Sequence, residues 1–141
     1  MILIALLICA FLAAGAAFHF YWAFGGRITL LAVVPEVRGR PAFTPSALAT
    51  FAVALALFAC AALIAATAGV LPVPLSPSVL SWLSFTLALV LLLRGVGDFR
   101  LVGFFKRVRG THFARLDTVV YSPLCLALSL GVFIVALGHH A

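Results

Sequence analysis

Charged residues are scarce in this chain. They make up 9% of its 141 residues, against roughly a quarter in ordinary soluble domains. The apolar share is 66%, more than a soluble protein of this size is able to hide from water, which excludes that class. Cysteine is also sparse: Cys9, Cys60 and Cys125 are odd in number, far apart and each inside an apolar run, with no CxxC pattern. They read as small buried hydrophobes, not as a disulfide framework or a metal site. Sequences of the GxSxG, HExxH, Walker and GxGxxG types are absent. Gly95, Gly97 and Gly103 stand among basic residues without a preceding strand, so no nucleotide loop and no cofactor are expected.

What is present is a series of long apolar runs. The first, residues 2–24, carries no charge and is long enough to cross a bilayer, for which roughly 20 residues suffice. Its small residues at 13–17 resemble a signal-peptide cleavage site, but no Lys or Arg precedes the run and its hydrophobicity continues to Phe24. Ile8 stands before Cys9, where lipoprotein processing requires a small residue, so the run is expected to be a retained first helix. Gly25 and Gly26 end it. The short apolar piece 28–34 in the following loop is expected at the membrane interface.

Thr44 with Pro45, and Ser76 with Pro77, are helix-start signals: a capping hydroxyl followed by a proline whose missing N–H is harmless in the first turn. They predict second and third helices over 45–68 and 77–97. Ala52 with Ala56, and Ala61 with Ala65, give the second helix small residues four apart, which suit close packing in lipid at the bundle centre or a subunit contact. A fourth helix starting at Pro123 would have 16 residues, whereas 118–138 gives 21 with Asp117 as cap and Pro123 as a kink. The expected fold is all-α: a polytopic membrane protein forming one domain over 1–141, an up-down bundle of four transmembrane helices.

Orientation follows from charge. All nine basic residues (Arg27, Arg38, Arg40, Arg94, Arg100, Lys106, Arg107, Arg109 and Arg115) fall in or beside the first and third loops. With four spans those loops share a side, and the positive-inside rule makes it the cytoplasm, with both termini outside. The net charge of +6 then points to anionic lipid headgroups, not nucleic acid, as partner. A homo-oligomer or a partner membrane protein is also compatible with the pattern.

The polar centre is the stretch 94–121, with six bases and two of the three acids. If 98–109 is helical, Leu101, Phe104, Phe105 and Val108 share one face and Arg100, Lys106 and Arg107 the other, as in an amphipathic interfacial segment. Asp98 at a helix C-terminus opposes the macrodipole and needs a donor, which Arg94, one turn earlier, Arg100 or Arg115 supplies. Asp117 faces the same cluster from the next helix start. These residues form either a pocket or an ion-pair network that fixes loop and helix. His19 is an ionisable group inside the first span, hence a functional candidate, at a depth that makes a hydrogen bond to Asp98 feasible. Tyr21 and Trp22 fit an aromatic belt. His112 lies at the membrane surface, while His139 and His140 end the chain on the opposite face, so the four histidines do not converge on a metal. The candidate ligand-binding set is His19, Arg94, Asp98, Arg100, Lys106, Arg115, Asp117 and Tyr121, with His19 and Asp98 as the candidate catalytic pair.

The segments HFYWAFGG, Val34 with Pro35, and RGVGDFRLVGFFKRVRGTHFARLDTVVYSPLCL give the chain a likeness over nearly its whole length. It resembles the bacterial membrane-protein family known as domain of unknown function 3995, most specifically over 97–123. The resemblance implies a small four-helix integral protein, here of the bacterial cytoplasmic membrane, and carries no assigned activity. Three functions follow as expectations. One is a binder of a lipid or other anionic amphiphile at the cytoplasmic side. Another is a membrane enzyme acting on a lipid, sterol-like or quinone substrate, with His19 as acid or base and Asp98 setting its tautomer. The third is a small oligomeric transporter, against which the nearly apolar outer halves of the helices weigh.

Overall fold

The computed structural model describes residues 1–138. His139 and His140, placed by the sequence on the face opposite the other histidines, lie outside the described residues. The elements in order are α1 (Ile2–Ala23), α2 (Leu30–Val33), β1 (Glu36–Val37), β2 (Arg40–Pro41), α3 (Ala47–Thr67), α4 (Pro77–Val96), α5 (His112–Leu116), a π-helical turn (Asp117–Tyr121) and α6 (Ser122–Gly138). The last three are continuous. Four helices are therefore long and apolar enough to span a membrane: Ile2–Ala23, Ala47–Thr67, Pro77–Val96 and His112–Gly138. The protein is an all-α four-span bundle, α1 packed mainly on α3 and α4 mainly on α6.

Its core is narrow. Ala5, Ile8 and Leu12 of α1 meet Ala61 and Ile64 of α3, Ala88 of α4, and Val132 and Val135 of α6. Most large apolar side chains point outward instead, Leu48 at 80% and Trp82 at 72% exposure, as expected where lipid, not water, is the solvent. Helix association must then come from close packing and hydrogen bonds between spans. A Cβ on Gly95 of α4 would run into Leu126 of α6, and one on Gly131 of α6 into Ile8 of α1. The Cys9 thiol donates to Ala61 O at 3.3 Å, Thr67 and Ser84 hydroxyls bond at 2.9 Å, and Ser129 Oγ donates to Ala88 O at 2.7 Å.

Several local expectations change. The second span starts at Ala47 because Ser46, not Thr44, is its cap, accepting from Ala49 N at 3.1 Å. The third keeps its expected start, with Ser76 Oγ accepting from Val79 N at 3.4 Å and Pro77 in the first turn. Ala52 and Ala56 face outward, while Ala61 is in the core. The fourth span begins at His112, capped by Thr111 Oγ1, so Asp117 is inside the helix and not its cap. Pro123 lacks the N–H that Val119 O would receive in an α-helix, and its ring crowds that carbonyl. The wider π turn immediately before it accommodates both defects.

Residues 98–109 contain no helix, which corrects the amphipathic reading. Gly97 (φ +109°), Phe99 (φ +61°) and Gly103 (φ +87°) adopt left-handed backbone. The Asp98 carboxylate also offers the backbone a non-helical partner. In the first loop, Arg38 (φ +54°) and Gly39 (φ +74°) form the turn between β1 and β2, which pair antiparallel with Glu36 opposite Pro41. Two positive φ values in succession are the turn geometry that suits strand twist.

Candidate functional site

The charged end of the bundle is built around Asp117, whose side chain is fully buried. The π turn places it one residue out of α-helical phase with α6, facing α4 and the 98–109 loop. Its Oδ1 accepts from Arg94 Nη2 at 2.8 Å. Its Oδ2 accepts from Gly103 N at 2.7 Å, Lys106 Nζ at 3.0 Å and Ser122 Oγ at 3.2 Å. A charge removed from water is tolerable only when its lone pairs are met in this way. Lys106 is 2% exposed, and its ammonium uses three donors, on Asp117, on Gly103 O at 2.9 Å and on Thr118 Oγ1 at 2.6 Å. Thr118 in turn donates to Ala114 O at 3.0 Å. Arg94 is only partly enclosed, and its Nη1 is buried without an acceptor among the described residues. One carboxylate against two cations leaves the cluster one acceptor short.

Asp98 is not part of this cluster. Its Oδ1 accepts from the backbone N–H groups of Leu101 at 2.7 Å, Arg100 at 2.9 Å and Val102 at 3.0 Å. What burial it has opposes its charge, but the N–H groups of Val102, Arg100 and Leu101 outweigh that and hold the carboxyl below the usual carboxylate range. The loop so organised folds back on the end of α4: Phe104 N and Phe105 N donate to Gly95 O and Val96 O. There Gly97 and Gly103 cross with no room for a Cβ on either.

Beside the buried cluster is a cavity of about 260 Å³, lined by Lys106, Arg109, Gly110, Ala114, Arg115, Thr118 and Val119. Arg109 Nε donates to Lys106 O at 3.3 Å. Among the described residues neither Arg109 nor Arg115 has a carboxylate partner, since the ion pairs are Arg94 and Lys106 with Asp117.

His19 is elsewhere. It lines a second cavity, of about 450 Å³, between the end of α1, α2 and the start of α3, with Trp22, Leu30, Val33, Val34, Val53 and Thr50 among its walls. Its Nδ1 bonds Gly15 O at 2.7 Å, not Asp98, whose carboxylate is bonded within its own loop. The catalytic pair expected from the sequence is therefore not brought together.

Of the residues singled out in the sequence, the fold gathers Arg94, Lys106 and Asp117 into one polar core. Arg115 lies against the neighbouring cavity, and Arg100 is exposed. Lys106, expected among the headgroups, is buried. Tyr121 is half-buried and ties in the first loop, donating from its hydroxyl to Ala32 O at 3.2 Å and stacking near Phe113. Sequence reasoning missed Gly103, Thr118 and Ser122 as partners of the cluster. The only signal for Ser122 was Pro123, which implies a helix irregularity just upstream. Among the described residues no three His, Cys, Asp or Glu side chains converge as metal ligands.

No curated protein and no solved structure matches this chain. The family model described as "protein of unknown function (DUF3995)" matches residues 12–132, a span that holds both cavities and the Asp117 cluster. The chain belongs to the DUF3995 family of proteins of unknown function.

Proposed function

We propose that this four-span protein, set in a bacterial cytoplasmic membrane with its charged end toward the cytoplasm, binds an anionic amphiphile there, the head on Arg109 and Arg115 and the tail in the bilayer. The observation that carries this reading is the cavity between Arg109 and Arg115. It combines two guanidiniums without carboxylate partners among the described residues and an exposed apolar flank at Val119, 70% exposed, in the first turns of the fourth span. The planar guanidinium donates two parallel N–H bonds to two oxygens of a phosphate, a match no other side chain provides. Lys106 and Thr118 line the same cavity, but their donors are engaged inside the protein. They shape the site and the two arginines supply its affinity. Arg94 and Asp117, expected from the sequence to touch the ligand, do not line this cavity, and Asp117 instead holds Lys106, which does.

Native mass spectrometry of protein extracted in mild detergent tests this. Phosphatidylglycerol should be retained in preference to phosphatidylethanolamine. Hydrogen bonds to charged groups are worth roughly 1.5–3 kcal/mol, so Arg109→Ala with Arg115→Ala should lower phosphatidylglycerol retention about tenfold or more. Arg38→Ala with Arg40→Ala, in the exposed turn of the first loop, should leave it unchanged. Equal loss in both double variants would reduce the effect to general surface charge and remove the site.

A further inference from the structure

The His19 cavity is independent of the arginine site and has a different chemical character. None of the described residues lining it carries a formal charge; its walls are aliphatic and aromatic side chains with a few hydroxyls. At about 450 Å³ it falls within the range typical of small-molecule sites, roughly 300–1,000 Å³.

Three of its polar side chains, those of His19, Trp22 and Thr50, have no hydrogen to spare for a ligand, whereas the Thr44 and Ser46 hydroxyls in the same walls keep theirs. Gly15 O is a carbonyl and only accepts, so the 2.7 Å contact assigns the hydrogen of the His19 ring to Nδ1. In the neutral imidazole Nε2 is then an acceptor, and it has no partner among the described residues. The Trp22 indole, stacked edge-on against His19 with ring centroids 4.9 Å apart, already donates its N–H to Ile28 O at 2.8 Å. Thr50 already donates its hydroxyl hydrogen to Ser46 O at 2.8 Å, leaving only lone pairs. A histidine at membrane depth is costly to keep unless its polar atoms are used.

We propose that this cavity is a binding site for a neutral amphiphile whose head carries a hydroxyl group, the hydroxyl donating to His19 Nε2 and the chain lying against Leu30, Val33 and Val53. An anionic head is disfavoured there. It brings no donor for Nε2 and meets no Lys or Arg among the described wall residues.

Trp22 provides the readout. The chain has two tryptophans, and the other, Trp82, is 72% exposed on the outer face of α4, so Trp82→Phe protein reports from the cavity alone. The probes are 1-(9,10-dibromostearoyl)glycerol, the matching methyl ester without a donor, and the matching fatty acid at a pH where it is ionised, each titrated in mild detergent. The glycerol ester should quench Trp22 saturably and be displaced by unbrominated monostearoylglycerol. It should bind about fivefold more tightly than the methyl ester, the worth of one hydrogen bond. His19→Phe, with Trp82→Phe, should erase that difference while keeping the weaker apolar binding. The comparison of probes on the Trp82→Phe protein does not depend on the His19 variant folding. Quenching that is linear and unsaturable, equal for alcohol and ester, or strongest for the ionised acid would overturn the proposal.

Discussion

Replacing Asp117 with alanine should be among the most damaging single changes available outside the apolar core, and the structure says which partner makes it so. Asp117 is fully buried and meets Arg94 at 2.8 Å and Lys106 at 3.0 Å. Arg94 keeps a third of its side chain exposed, so water reaches part of the charge it would be left with, and although its Nη1 is buried without an acceptor among the described residues, its share of the loss is smaller than that of Lys106. Lys106 is 2% exposed and has no such relief. Removing one partner of a buried pair typically costs about 3–5 kcal/mol because the other charge stays desolvated. The Asp117→Ala cost should fall in that range and arise mainly from Lys106. Pairing the change with Lys106→Met removes the stranded ammonium, so the double variant should be less destabilised than the sum of the singles by about 2 kcal/mol or more. Pairing it with Arg94→Met should recover much less. Reversible unfolding in mixed micelles of dodecylmaltoside and increasing SDS, followed by far-UV circular dichroism, measures all of these. Additive costs for Asp117 and Lys106 would refute the claim that the buried pair is the energetic unit of this end of the bundle.

Three further outcomes are expected. Gly97→Ala should cost about 2 kcal/mol or more, since it combines a left-handed φ with a collision against the Val102 carbonyl; Gly110→Ala, also left-handed but facing open space, should cost about 1 kcal/mol. Both are read by the same unfolding assay, and equal costs would contradict the close crossing of Gly97 and Gly103. Asp98 has a depressed pKa, so its contribution is present above the ordinary carboxylate value and lost as pH falls through the lowered one. The stability gap between wild type and Asp98→Asn should therefore be open at neutral pH and close in acid, and a pH-independent gap would contradict the carboxylate's role in organising Arg100 to Val102. Tyr121→Phe removes the hydroxyl that holds Ala32. It should speed amide hydrogen exchange across Leu30–Val33 by about fivefold, the equivalent of one hydrogen bond, with α6 unchanged.

The spans were legible in the sequence because hydrocarbon solvent imposes a length and a composition that few other structures share. Ser76 with Pro77 marked a helix start for the same kind of local reason. Thr44 with Pro45 reads as the start of the second span, but Ser46, two residues on, is the hydroxyl that accepts from Ala49 N and caps it. The loop 98–109 misled because Leu101, Phe104, Phe105 and Val108 have helical spacing. That spacing was overruled by left-handed backbone at Gly97, Phe99 and Gly103 and by Asp98 capping three successive N–H groups.

What the sequence determined by itself is the all-α four-span architecture and the gathering of the charged side chains in or beside two loops. Both follow from the cost of placing charge and unpaired backbone in hydrocarbon, a cost each segment meets on its own. What only the tertiary structure decided is which charges are partners. Arg94 lies one turn from Asp98 in sequence but pairs with Asp117, 23 residues on, because a π turn before Pro123 rotates that carboxylate inward and the loop carries Lys106 down onto it. Only that three-dimensional closure separates a buried structural cluster from the arginine cavity beside it, and both from the uncharged chamber at His19.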